Sequence, residues 1–172
     1  MKPLTLLSLL VALASLGIAY VSMASGKAPD ATPYLKQIPS GYRDWKFIAV
    51  AREEAPLDDI RVILGNGAAI KAYRERRLPF PEGAIVARLA YTYEVSEENN
   101  QAFGHRQSFV AGQPKNGLQF MVKDSKKYAA TGGWGYGHFN DGKLADESML
   151  KTCFPCHEAV QARDFVFTRY AP

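Results

Sequence analysis

The chain has 172 residues, of which 47% are hydrophobic and 22% are charged, and its formal net charge is +4. This length supports one domain with a well-formed core, and the composition excludes a disordered or fibrous protein. The basic residues are spread along the chain, apart from KAYRERR (Lys71 to Arg77). A nucleic-acid-binding protein usually has a stronger basic stripe, so no nucleic-acid partner is expected.

Residues 1–24 are predicted to form a signal peptide. Lys2 precedes an apolar run from Leu4 to Met23, and small residues around Ala24 suit a peptidase site. The run is also nearly long enough for an uncleaved membrane anchor. Both interpretations imply export, and we expect a periplasmic protein.

Residues 25–40 contain three prolines and little periodicity, which predicts a linker or an N-terminal arm before a domain over residues 41–172. Short runs rich in β-branched and aromatic residues predict the strands of that domain. These runs are WKFIAVAR (45–52), DIRVILGN (59–66), AIVARLAYTYEV (84–95), RQSFVAG (106–112), LQFMVKD (118–124) and GGWGYGHF (132–139).

Helices are predicted at three places. NGAAIKAYRERR (66–77) has apolar residues at helical spacing, DSKKYAAT (124–131) is a short helix capped by Asp124 or Ser125, and a last helix begins near Pro155. SEENNQAFG (96–104) is predicted to be a polar loop. The order of elements predicts an α+β domain, a mainly antiparallel β-sheet with a few packed helices.

The two cysteines of the chain, Cys153 and Cys156, form a C-x-x-C-H motif with His157. A disulfide across this gap is geometrically awkward, a thioredoxin-like pair expects a βαβ setting, and zinc lacks its usual second pair of ligands. The fourth interpretation is covalent haem, with both thiols attached to one haem and His157 as an axial ligand of the iron. Haem c is normally attached after export, so we expect one haem c per chain, carried by the C-terminal helix.

The other axial position has no obvious ligand. His105 in the predicted loop and His138 in the Gly-rich strand are expected at the surface, and Met121 is expected in the core. Met149 lies too close to Cys153 along the chain to reach the opposite face of the haem. An electron carrier usually fills both axial positions, whereas a catalyst or gas binder leaves one open. We therefore expect an open distal site.

Five stretches carry a family resemblance across residues 41–172. They are YRDWKFIAV, FPEGAIVARLAY, GLQFMVKDSKKYA, GGWGYGHF and CFPCHEAVQARDFVFTRYAP. The chain resembles the cytochrome P-460 family, which includes the related cytochromes c-prime-beta. C-x-x-C-H alone is common to c-type cytochromes, but its place near the C-terminus of a β-rich chain, before DFVFTRYAP, is more specific.

The resemblance implies a mainly antiparallel β fold that dimerises and a haem with an open distal position. Members with the full set of active-site features oxidise hydroxylamine, using a haem linked to a lysine and a distal carboxylate that accepts protons. The cytochromes c-prime-beta lack the link and bind nitric oxide or carbon monoxide in an apolar pocket.

This chain departs from that pattern at two candidate catalytic positions. Arg88 stands where the linking lysine is expected, and a guanidinium is a poor nucleophile, so no lysine-type link is expected. Gln119 stands where the distal carboxylate is expected, and an amide cannot act as a general base near neutral pH. Arg88 could instead pair with a haem propionate or lie on a solvated strand face, and Gln119 could be an ordinary edge residue.

The sequence therefore predicts an exported monohaem cytochrome that binds or oxidises a small nitrogen ligand or gas, such as nitric oxide or hydroxylamine. A redox partner cytochrome and a homodimer are expected. The alternatives are a hydroxylamine-oxidising enzyme proper, in which Gln119 and water replace the base, and a plain electron carrier with a sixth ligand. A non-haem redox or zinc protein ranks last.

Overall fold

The computed structural model describes residues 33–171, so the predicted signal peptide lies outside the described residues. The strands are β1 (Lys46–Glu53), β2 (Asp59–Gly65), β3 (Ile85–Val95), β4 (Phe109–Pro114), β5 (Leu118–Lys123), β6 (Trp134–Asn140) and β7 (Lys143–Leu144). The α-helices are α1 (Gly67–Arg74), α2 (Glu97–Phe103), α3 (Glu147–Leu150) and α4 (Cys153–Glu158), and short 3-10 helices cover Tyr42–Asp44, Ala129–Thr131 and Gln161–Arg163. None of the helices within this part of the chain has both the length and the hydrophobicity that crossing a bilayer requires.

The strands form one antiparallel sheet in the order β1-β2-β3-β5-β6-β7. The long strand β3 has two partners on the same side: its first half pairs with β5 and its second half pairs with β4. Most strands that follow each other in the chain are also neighbours in the sheet, as expected when short connections join antiparallel strands. The predicted α+β architecture with a mainly antiparallel sheet is confirmed.

Alternation along the strands gives the sheet two different faces. In β3, Val86 belongs to one hydrophobic core, whereas Ala87 and Leu89 belong to another. The strand register aligns Val86 with Met121 of β5, and Met121 with Tyr136 of β6. The face that holds these three residues is called the helix face, because α1 and α4 pack on it. The opposite face is called the arm face.

The core of the helix face is built largely between the sheet and α1. Ala69, Ile70 and Ala72 of this helix are buried there. Asn66 caps the helix, since its Oδ1 accepts a hydrogen bond from the backbone nitrogen of Ala69 at 3.0 Å. The same oxygen accepts from the backbone nitrogen of Ile85 at 3.0 Å. One side chain therefore sets the start of α1 against the start of β3.

The arm face is covered by the chain that precedes β1. Leu35 is buried against this face in the same cluster as Phe120 of β5. The backbone nitrogen of Leu35 donates to the Tyr136 carbonyl at 2.7 Å, and the Tyr136 nitrogen donates to the Pro33 carbonyl at 2.7 Å. The N-terminal arm therefore extends the sheet beside β6 as well as covering one of its faces.

Two segments differ from the sequence predictions. SEENNQAFG is not a loop but contains α2, because Ser96 caps the helix at the Asn99 nitrogen and Gly104, at φ 74°, ends it. DSKKYAAT is not an α-helix but a turn followed by a 3-10 helix. The predicted cap is present, since Asp124 Oδ1 accepts from the Lys127 nitrogen at 2.9 Å.

Candidate functional site

The C-x-x-C-H motif lies on α4, which begins at Cys153, slightly earlier than predicted. Pro155 occupies the first turn, where a backbone N–H has no partner within the helix. Cys153 is half-buried against the helix-face core and Cys156 is exposed, and both are free thiols. Burial raises the pKa of the Cys153 thiol, and the neighbouring Cys156 raises it further. One short helix therefore presents two free thiols, one sheltered and one open to solvent.

A backbone carbonyl orients His157. Its Nδ1 lies 2.6 Å from the carbonyl oxygen of Phe165. A carbonyl oxygen can only accept, so Nδ1 carries the proton and Nε2 keeps its lone pair. Burial lowers the pKa of His157 and outweighs the opposite effect of this hydrogen bond. The side chain is thus a neutral imidazole with Nε2 free to bind a metal, held as metal-bound histidines usually are.

Aromatic side chains surround His157. The ring centres of Tyr136 and Phe167 lie 5.2 and 5.1 Å from that of His157. The Tyr136 hydroxyl is buried without a hydrogen-bond partner among residues 33–171, and burial raises the pKa of this hydroxyl. Phe154 of α4 lies 6.5 Å from the Tyr136 ring. The rings of Tyr136, Phe154 and Phe167 are called the aromatic wall. Such a wall, with one unpaired hydroxyl, suits a large, flat, mainly apolar group that also has polar atoms.

Three polar residues form a row across neighbouring strands of the helix face. Arg88 of β3 is paired with Gln119 of β5, and Gln119 is paired with His138 of β6. The Gln119 Nε2 lies 3.1 Å from His138 Nδ1 and 3.4 Å from the Asn116 carbonyl. Because an amide nitrogen donates, His138 Nδ1 accepts and its proton lies on Nε2. The row lies two residues along β6 from Tyr136, on the same face, so it borders the aromatic wall.

A buried carboxylate, Asp59, holds Arg88 in place. Arg88 Nη2 lies 2.7 Å from one carboxylate oxygen of Asp59, and Arg61 contacts the other at 2.7 Å. Burial raises the pKa of Asp59, but the hydrogen bonds from Asn116 and Arg61 and the charge of Arg88 outweigh it and lower the pKa. Asp59 is therefore ionised. Asp59 was not among the residues predicted from the sequence, because a charged residue at the start of an apolar run is most simply interpreted as a strand end.

His138 has close neighbours at both of its ring nitrogens, Gln119 at Nδ1 and Gly117 at Nε2. Burial lowers its pKa, contact with Asn140 raises it, and the charge of Arg88 lowers it. The net shift is downward, which favours the neutral form. A methyl group at Gly117 would overlap the Nε2 atom of His138, so the ring fits only because Gly117 has no side chain. The ring therefore has little room to turn.

The structure brings Arg88 and Gln119 together as direct neighbours, although their proposed roles at a haem remain predictions. Arg88 does not lie on a solvated strand face, because its side chain is only 14% exposed. The expectation that His138 lies at the surface is wrong, since it is 7% exposed. His105 is exposed and Met121 is buried in the core, as expected.

The residues present fit a haem c. Two free thiols and a neutral histidine on one short helix are the groups that attach and ligate this cofactor. The aromatic wall supplies apolar contact area, and the Tyr136 hydroxyl is available as a polar contact. Within residues 33–171, no three or more His, Cys, Asp or Glu side chains are grouped in a way that could hold a metal ion.

Comparison with known proteins gives one family. The family described as Cytochrome P460 matches residues 39–168, which is most of the chain and includes the whole sheet and the C-x-x-C-H helix. Among curated proteins, none matches this chain. Membership of this family implies haem binding and suggests a cytochrome that acts on nitrogen species. The chain belongs to the cytochrome P-460 family.

Proposed function

We propose that this chain is a periplasmic cytochrome, exported through residues 1–24, with one haem c attached through Cys153 and Cys156. His157 is the axial ligand of the iron, and the open distal position binds a small nitrogen species such as nitric oxide or hydroxylamine. One observation carries this proposal. The hydrogen bond from His157 Nδ1 to the Phe165 carbonyl leaves Nε2 free on the same helix as two free thiols.

An open distal position is supported by the arrangement of possible sixth ligands in the described part of the chain. His138 uses Nδ1 to accept from Gln119, and its ring is confined. Met121 is packed in the helix-face core. His105 is exposed and bonds to Gln107 at 3.0 Å. Each of these side chains has a different local role, which favours a ligand-binding iron over one with both axial positions filled.

Arg88 favours ligand binding over oxidation as the main activity. Its guanidinium is charged, ion-paired with Asp59 and a poor nucleophile, so a covalent link to the porphyrin is not expected. Asp59 is engaged by Arg61 and Arg88 and is not a free proton acceptor. Gln119 can donate a hydrogen bond to a bound ligand but cannot serve as a general base. Any oxidation of hydroxylamine should therefore be weak.

A true hydroxylamine-oxidising enzyme is the second candidate, and His138 favours it. His138 is a buried, neutral imidazole, and it could take a proton from a substrate at Nδ1 once the Gln119 amide that donates to this atom turns away. The haem-loaded protein would be assayed for hydroxylamine turnover with an artificial electron acceptor. If the parent protein turns over hydroxylamine and His138→Gln does not, the result would support a hydroxylamine-oxidising enzyme. If the parent protein gives no product, this candidate function is rejected.

A homodimer and a redox partner cytochrome are part of the proposal. Exposed apolar side chains on two edge strands provide area for a dimer contact. They are Phe47 and Val50 of β1, and Phe109 and Val110 of β4. Sedimentation equilibrium of the haem-loaded protein measures the mass, and a monomer at all concentrations would reject the dimer.

Absorption spectra test the proposal most directly. The chain is expressed with a haem-attachment system, and ferric and ferrous spectra are recorded before acid–acetone extraction and alkaline pyridine treatment. We expect haem that resists extraction, a high-spin ferrous spectrum and a normal pyridine spectrum. Extractable haem would refute covalent attachment, and a low-spin ferrous spectrum would indicate a sixth ligand. A strongly red-shifted ferrous band with an abnormal pyridine spectrum would indicate a cross-linked macrocycle and move hydroxylamine oxidation to first place.

A matched variant checks the attachment residues. In Cys153→Ser/Cys156→Ser, both thiols are replaced by hydroxyls of similar size, so the fold of α4 should persist while the covalent bonds cannot form. We expect no haem in this variant after acid–acetone extraction.

A further inference from the structure

Lys123, the last residue of β5, is a buried lysine with a buried counter-ion. Its side chain is 5% exposed, and its Nζ lies 2.7 Å from Oδ1 of Asp164. The Nζ also donates to the Gly132 carbonyl at 3.1 Å and lies 5.0 Å from the centre of the Trp134 ring. A buried ion pair needs such additional partners, because removing two charges from water is costly. Neither charged residue has a role in the function proposed above.

Asp164 lies in a tight turn that follows α4. Asp164 has φ 53° and Phe165 has φ 63°, in the left-handed region that residues with side chains seldom adopt. Two such residues in succession are unfavourable, so the turn needs stabilising contacts. Backbone hydrogen bonds within the turn supply some of them, from the nitrogens of Asp164 and Phe165 to the carbonyls of Gln161 and Val160 at 2.9 and 3.2 Å. Asp164 Oδ2 accepts from the Phe80 nitrogen at 2.8 Å, while Oδ1 pairs with Lys123. The carboxylate therefore ties the turn to β5 and to the segment before β3.

The turn determines where the Phe165 carbonyl points, and this is the carbonyl that meets His157 Nδ1 at 2.6 Å. The ring of Phe165 packs 5.6 Å from that of Phe154 on α4. It also lies against Gly132, where a methyl group would overlap the ring. Because Gly132 is the residue whose carbonyl accepts from Lys123, the same contacts fix the ion pair and the Phe165 side chain.

We propose that the Lys123–Asp164 ion pair positions His157, acting through the Phe165 carbonyl. The inference rests on the proposed role of His157 as an axial ligand. A carbonyl bonded to Nδ1 orients the imidazole and makes it a more basic ligand. The ion pair holds that carbonyl in place. Without the pair, the turn relaxes toward commoner backbone angles and the bond to Nδ1 lengthens.

The test uses haem-loaded Asp164→Asn and Lys123→Met. We expect a lower iron–histidine stretching frequency in the resonance Raman spectrum of the ferrous protein and a higher reduction potential, because a less basic imidazole stabilises ferric iron less. Lys123→Arg keeps the cation and should restore the parent values. Lys151→Met is the matched control, since it breaks an exposed ion pair of 3.0 Å to Glu147 beside α4 and should change neither quantity.

Parent values of both quantities in Asp164→Asn would overturn the proposal. If Lys123→Met does not accumulate as a folded protein, the test uses Asp164→Asn only. This variant should fold, because its amide oxygen can still accept from the Phe80 nitrogen. If the parent protein carries no haem, the proposed function fails, but this inference does not.

Nitrogen-15 spectra of the haem-free chain then report the tautomer of His157. The inference predicts a pure Nδ1–H tautomer in the parent and a mixture in Asp164→Asn, and an unchanged tautomer refutes it.

Discussion

Replacing Asp59 by asparagine should cost this fold much of its stability. The side chain of Asp59 is completely buried, and each of its oxygens lies 2.7 Å from a guanidinium nitrogen, of Arg61 or of Arg88. Asp59→Asn keeps the shape of the side chain and removes its charge. Arg61 and Arg88, whose side chains are only 12% and 14% exposed, then lose their buried counter-ion. The remaining acid nearby is the exposed Glu53, which lies 3.3 Å from Arg61.

The size of the expected loss in unfolding free energy follows from the burial of Asp59 and its two arginines. Removing one partner of a buried ion pair costs about 3–5 kcal/mol, and we expect about 3 kcal/mol because Arg61 keeps Glu53. This is a large part of the roughly 5–15 kcal/mol that stabilises a domain. With a urea m-value of about 2 kcal/mol/M, the unfolding midpoint should fall by about 1.5 M.

The assay is urea unfolding followed by far-ultraviolet circular dichroism. Glu54→Gln is the matched control, because it breaks an Arg52–Glu54 pair at 3.4 Å whose side chains are 49% and 88% exposed. Its effect on the unfolding midpoint should be small, because solvent screens an exposed ion pair. If Asp59→Asn unfolds at the same urea concentration as Glu54→Gln, then the buried ion pairs of Asp59 with Arg61 and Arg88 do not stabilise the fold as argued.

Two further predictions concern the same region. The pKa of Asp59 is lowered in the folded protein, so its stabilising contribution is fully present above the unfolded-state pKa of about 4 and is lost as the pH falls through the lower folded-state value. The stability difference between the parent and Asp59→Asn should therefore shrink in acid, and a difference that stays constant down to pH 2 would contradict this. Gly117→Ala should cost about 1–3 kcal/mol more than Gly142→Ala, because both glycines have positive φ but only Gly117 faces the His138 ring. Equal thermal unfolding temperatures for the two variants would exclude a tight contact at Gly117.

The sheet could be predicted from sequence because its signals are local. Alternation along β3 separates Val86 from Ala87, and the structure places them in different cores. The α2 helix was missed although Ser96 is a good cap, because the residues that follow are mostly polar. Its stability depends on contacts that sequence periodicity does not report.

The candidate site was only partly predictable. Cys153, Cys156 and His157 form a contiguous motif, so they could be found without a fold. Asp59 could not, because its partner Arg88 is 29 residues away and the two meet only through the register of β2 and β3. His138 was placed at the surface because it follows Gly135 and Gly137 in a Gly-rich strand, and alternating glycines do not indicate which face of a strand is buried.

The link between Asp59 and Arg88 also limits how this site can evolve. Gln119 and His138 lie on the helix face, while their chain neighbours Phe120 and Phe139 pack in the core of the arm face. Exchanges at Gln119 and His138 can therefore be accommodated without disturbing that core. Position 88 is different, because an uncharged residue there would leave the buried carboxylate of Asp59 with one cation fewer. Relatives that lose the positive charge at position 88 should consequently have lost the acid at position 59 as well, so the two positions should change together among descendants of this fold.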